Sequence, residues 1–208
     1  MGKNDLIKEL LNSSKIAERK KGVNLIKKND VKDVGDELFT LLKKELEKDK
    51  SWELIVLIIE TLGIIQYKNA ISLFEEICKK NQEHDMITRE VAKAYCKIVR
   101  SDEFDVDPEI YLLSFGRFSV VNGALLALGH DKVVPSQESQ NKILRILNQL
   151  NFKRERGYSD VRVGLALACA GWNKTTEIKS FLEDCLGSDY LPLQKIAKNS
   201  LKNKYSSI

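Results

Sequence analysis

Leu62-Gly63-Ile64-Ile65-Gln66-Tyr67-Lys68-Asn69-Ala70-Ile71 is the stretch that decides how this chain folds. Apolar residues at helical spacing run into it from Ser51 and out of it to Lys80, so it is a short turn between two helices, Ser51–Gln66 and Asn69–Lys80. Its Leu-Gly step returns as Leu128-Gly129 and, with Ala in place of Leu, as Ala170-Gly171. The first two glycines lie 66 residues apart, twice 33, and the next gap is 42. The nine surplus residues are visible as Asn151–Ser159, NFKRERGYS, an expanded link. A second register agrees: Ile71, Phe74, Glu76 and Cys78 recur 107 residues later as Ile178, Phe181, Glu183 and Cys185. A helix pair that recurs every 33 to 42 residues is the mark of stacked helical repeats.

Outward from that stretch the helical period never gives way to strand alternation. It predicts Asp5–Asn12, Ser14–Lys28 and Lys32–Lys48 on the N-terminal side. On the other side it predicts Met86–Arg100, a helix from a capping Asp107 to about Gly116, Phe118–His130, Gln137–Leu150, Asp160–Trp172, Thr176–Leu186 and Tyr190–Tyr205. Eleven Gly and three Pro in 208 residues are too few for the turns of a sandwich or barrel. The expected architecture is therefore all-α: six antiparallel helix pairs forming one domain over residues 1–208. In that register Cys78 and Cys185 are equivalent buried positions on first helices, and Gly63, Gly129 and Gly171 fall near the ends of second helices.

The quoted stretch resembles the HEAT-like repeat consensus, in which a Leu-Gly near the end of one helix precedes a short turn, and an Ala with an aliphatic residue opens the next. Asp160-Val161-Arg162 is similar to the Asp-x-x-Val-Arg opening of a HEAT second helix, shortened, and Thr88-Arg89 is a weaker copy. The first pair lacks the Leu-Gly, and in the last Leu201-Lys202 stands in its place. The resemblance implies a right-handed α-solenoid with atypical terminal repeats.

Composition narrows the function. Lys plus Arg is 34 against 30 for Asp plus Glu, and only eight of the basic residues are Arg, the side chain suited to bidentate phosphate or guanine contacts. A mixed, solvated surface is the expectation, with protein rather than nucleic acid as the partner. The longest unbroken apolar run, Leu54–Ile59, is too short to span a bilayer, and no signal peptide opens the chain, so a cytoplasmic location without membrane attachment is expected. Four cysteines without a CxxC pair and only two histidines predict buried thiols and no metal site or cofactor. No phosphate-binding loop, HExxH or GxSxG occurs. His84 and His130 fall at helix ends, where dipole and solvation account for them. Glu75-Glu76 and the acidic run Asp102–Asp107 read as solvated surface.

Two surfaces are candidates for a partner. Glu90, Lys93 and Lys97 share one helix face, and Lys195, Lys198 and Lys202 repeat the spacing. Between them Phe118–His130 and Asp160–Trp172 are poor in charge, either because they form the apolar floor of a basic-flanked groove or because they are buried on more sides. The second candidate is the expanded link, where Phe152, Lys153, Arg154, Arg156 and Tyr158 combine aromatic anchors with the cations enriched at interface hot spots. The expectation is a non-catalytic protein-binding module, an inhibitor or immunity protein masking a bacterial toxin domain, or an adaptor. HEAT-like proteins also include alkylpurine DNA glycosylases that hold duplex with aromatics beside an acid. Trp52 and Trp172 match that reading by type alone. A scaffold subunit of a larger complex is the third alternative.

Overall fold

The computed structural model describes residues 2–48, 51–80, 82–152 and 159–206. Among them are twelve α-helices and no strand. They are α1 (Lys3–Leu11), α2 (Ile16–Asn29), α3 (Gly35–Leu46), α4 (Trp52–Ile64), α5 (Ile71–Lys80), α6 (Met86–Val99), α7 (Asp107–Leu113), α8 (Phe118–His130), α9 (Gln137–Leu150), α10 (Arg162–Ala168), α11 (Thr176–Leu186) and α12 (Leu191–Ser200). The helices fall into two rows. Each even-numbered helix packs on the next, α2 on α4 through to α10 on α12, and on an odd-numbered neighbour.

The even helices run parallel, as the bonds between them show. Lys20 and Lys27 of α2 reach Glu53 and Glu60 of α4 at 2.5 and 2.7 Å, both across 33 residues. At the start of α6 and α8 the Asp85 amide donates to Ser119 Oγ at 2.8 Å, and at their ends Lys97 meets Asp131 at 3.0 Å. Both of these spans are 34 residues.

Four of the even helices end in one kind of turn. The amides of Val31, Tyr67, Val133 and Lys204 donate to the carbonyls of Ile26, Leu62, Leu128 and Asn199, five residues back. The residue before each donor (Asp30, Gln66, Lys132 and Asn203) has a positive φ. This is the Schellman arrangement, which satisfies carbonyls that a helix end would leave bare. It also corrects the register of the last pair, where Asn199-Ser200 rather than Leu201-Lys202 occupies the Leu-Gly place.

The glycines of the repeated step lie where neighbouring even helices touch. A Cβ on Gly63 would come within 3.0 Å of Ala94 Cβ, and one on Gly129 within 2.6 Å of the Gly164 carbonyl oxygen. Gly63 and Gly129 are next to last in α4 and α8, as the repeat register predicts, whereas Gly171 lies past the end of α10. Cys78 and Cys185 take matching buried positions in α5 and α11, and all four thiols are free and buried. Burial pushes the Cys78 and Cys185 thiols up to about 12, so they pack as small apolar groups and not as nucleophiles. Asp107 is the first helical residue of α7 rather than its cap, and Asp105 Oδ1 accepts its amide at 2.9 Å.

Candidate interaction surfaces

The lysines expected to flank a groove are placed differently at the two ends. Lys93 is tied to Glu90 at 2.6 Å within α6, and Lys97 to Asp131. Both charges are spent inside the row, so α6 presents no basic flank. Lys195 and Lys198 of α12 are exposed and make no ion pair among the described residues.

The apolar floor is closed rather than open. In α8 every residue from Ser119 to Gly129 except Leu126 is buried, and α10 is buried from Val163 onward. Gly123 and Gly164 explain this. A Cβ on Gly123 would overlap the Arg89 carbonyl and sit 2.7 Å from Ala92 Cβ, and one on Gly164 would overlap the Leu125 backbone. Helices α6, α8 and α10 therefore meet backbone to backbone, and low charge here reflects burial on every side.

In the expanded link, Lys153, Arg154, Arg156 and Tyr158 lie outside the described residues. Phe152, expected to be an exposed anchor, is half-buried against the core with its ring edge-on to Phe118, centroids 6.2 Å apart. Phe152→Ala is accordingly expected to cost about 1–2 kcal/mol, since an aromatic pair adds to the burial of each ring. Urea unfolding checks this, and an unchanged midpoint would return Phe152 to the solvent.

The acids and the two tryptophans are placed differently from one another. Arg100 joins Glu109 and, at 2.9 Å, Asp131, linking α6, α7 and α8 beneath the surface. Burial lifts the Glu109 carboxyl above its usual range, while the Arg100 and Lys97 charges and hydrogen bonds outweigh burial and hold Asp131 below it. Trp172 is buried and its indole N–H donates to the Val133 carbonyl at 2.8 Å. Trp52 is 55% exposed, and Glu53 beside it is engaged by Lys20. No group of three or more His, Cys, Asp and Glu able to hold a metal occurs among the described residues, and no described helix is long and apolar enough to cross a membrane.

Two surface features escaped the sequence reading. The first residues of α2, α4, α6 and α12 are Ile16, Trp52, Met86 and Leu191, and all four are exposed. Because the even helices are parallel, these residues share one edge of the row. Phe118, first in α8, continues the edge under the rings of His84, at 4.7 Å, and Phe152. Aligning helix starts instead of helix ends would have revealed the series. The other feature is electrostatic. No Asp or Glu follows Asp189, so Lys195, Lys198, Lys202 and Lys204 carry the whole excess of 34 basic over 30 acidic residues. Comparison of the chain with protein-family models and with curated proteins finds no match.

Proposed function

We propose that the two rows form a right-handed HEAT-like α-solenoid of six helix pairs, and that it works as a non-catalytic protein-binding module. The parallel even helices at backbone contact, and the recurring 33- and 34-residue bonds between them, support the solenoid. Grooves open between outer helices, such as one of about 660 Å³ beside α1 and α3, as expected of a row that curves toward its even side.

The observation that carries the binding role is the apolar edge, Ile16, Trp52 and Met86 at successive helix starts. Large side chains left in water along one line mark an interaction surface, and an aromatic of this kind is the commonest hot-spot anchor. A cytosolic inhibitor or immunity protein that masks a toxin domain, or an adaptor, needs such a surface and no reaction chemistry.

The product of the neighbouring gene is the first partner to test. Trp52→Ala should leave the melting temperature within about 1 °C, because an exposed side chain contributes little to folding. The same change should weaken partner binding by about 2 kcal/mol or more, as calorimetry would read it. Unaltered affinity for a partner bound by the native chain removes the edge from the interface.

A further inference from the structure

We infer that the last helix, α12, docks against an acidic protein surface that carries an apolar recess. This rests on the protein-binding reading above and supplies the chemistry of the partner.

Along the rows many lysines meet a carboxylate at close range. Lys20 and Lys27 meet Glu53 and Glu60, Lys79 and Lys80 meet Glu75 and Glu76, and Arg162 meets Asp160. On α12 the pattern stops. Lys195 and Lys198 are exposed on the helix, Lys202 and Lys204 follow in the turn after it, and none of the four forms an ion pair among the described residues. Four like charges within ten residues repel one another, and an acidic partner relieves that repulsion. Leu191, 73% exposed, stands four residues before Lys195 and seven before Lys198, on the same helix face. Leu186 is also exposed at the end of α11, five residues before Leu191.

An exposed helix face needs polar side chains, but it does not need one sign of charge. At the other end of the rows α1 and the start of α2 expose both signs: Lys3, Lys8 and Lys15 with Asp5 and Glu9. On α12 the exposed charges are of one sign.

Protein fits this face better than nucleic acid. No Arg follows Arg162, so the face lacks a guanidinium fork for phosphate. Lys132 sits over one face of the Tyr205 ring, with the ammonium 4.9 Å from its centroid, and the hydroxyl end rests near Gly171, so that face is not open to a base. Exposed leucines beside lysines match a protein surface with carboxylates around an apolar hollow.

The test uses the full chain and a labelled, helix-forming peptide with Glu at i, i+4 and i+7 beside a leucine stripe, read by anisotropy at about 150 mM salt. Binding is expected, weakened about tenfold or more by Lys195→Glu with Lys198→Glu. Leu191→Ser should weaken it about fivefold with the charge unchanged, and Lys68→Glu, remote on another turn, should not. A short DNA duplex and phosphatidylglycerol vesicles are run beside the peptide. Absence of peptide binding, indifference to Leu191→Ser, or tighter binding of duplex or vesicles through the same lysines overturns the inference. A partner that binds the double Lys→Glu variant like the native chain but loses Trp52→Ala overturns it too, and leaves the protein-binding reading intact.

Discussion

Gly164→Ala is expected to lower stability by about 3 kcal/mol, the upper end of the cost of overpacking, and the melting temperature by about 10 °C for a chain of this size. In an exposed helix the same change would stabilise by up to about 1 kcal/mol, because Ala is the better helix former. Here the new methyl would overlap the carbonyl carbon and oxygen of Leu125 and the amide of Leu126. Those atoms belong to the α8 backbone, which cannot swing aside like a side-chain tip, so α8 and α10 must separate. The loss should spread to the α6 contact as well, since Gly123 sets the α8 backbone against Arg89 and Ala92. Gly187→Ala is the control. Its Cβ would meet only the Asp184 carbonyl oxygen at 3.5 Å, and its φ of −78° suits any residue. That variant should be neutral or gain a few tenths of a kcal/mol. Thermal unfolding followed by circular dichroism separates the two, and equal midpoints would mean that α8 and α10 do not meet backbone to backbone.

This pair of glycines also shows what the sequence could reveal. The Leu-Gly steps marked contacts between even helices because a helix that touches its neighbour's backbone admits no side chain there. Helices α8, α9 and α11 begin and end where their periodicity places them, each between clear punctuation. The Schellman turns were invisible, since Asp30, Gln66, Lys132 and Asn203 take the left-handed conformation in place of the Gly that usually marks it. Helix α10 is shorter than its apolar pattern because the chain tightens after Ala168, and Lys174 reaches back to the carbonyls of Cys169 and Trp172 at 2.6 and 2.8 Å. Apolar spacing cannot report that turn, which a lysine outside the pattern completes.

The partner surfaces were less legible, for a related reason. A run of lysines looks the same whether each meets a carboxylate from a neighbouring helix or faces water. Glu90 at three residues from Lys93 is a pairing that spacing allows, whereas the meeting of Lys97 with Asp131 across 34 residues is visible only in the fold. Low charge in α8 and α10 was compatible with a groove floor and with complete burial, and backbone contact at Gly123 and Gly164 decides for burial. Phe152 belongs to the same class, an aromatic in a link that finds Phe118 within reach.

Arg100→Ala is expected to cost about 3–5 kcal/mol, the loss that follows when one partner is removed from a buried ion pair. Arg100 serves two carboxylates on different helices, Glu109 of α7 and Asp131 just past α8. Glu109 is fully buried and its second carboxylate oxygen has no hydrogen-bond partner, so without Arg100 it has no cation to offset its desolvation. Asp131 keeps Lys97 at 3.0 Å, and the damage centres on Glu109. The pH dependence identifies the cause. Burial already raises the Glu109 carboxyl in the native chain, against the pull of Arg100. A folded-state value above the unfolded one gives stability that is full below the unfolded value, about 4.3, and lost as pH rises through the folded value. The Arg100→Ala variant should therefore regain stability as pH falls from about 7 to about 5, more than the native chain does. Asp131 has the opposite sign: its lowered carboxyl contributes above its unfolded value, about 3.9, and loses that contribution only in stronger acid. Urea unfolding of both proteins across this range decides the matter. Replacing Glu109 by Gln in the Arg100→Ala background should abolish the regain, because an amide has no proton to take up. A variant whose stability stays flat with pH would place the loss in packing rather than in an uncompensated charge.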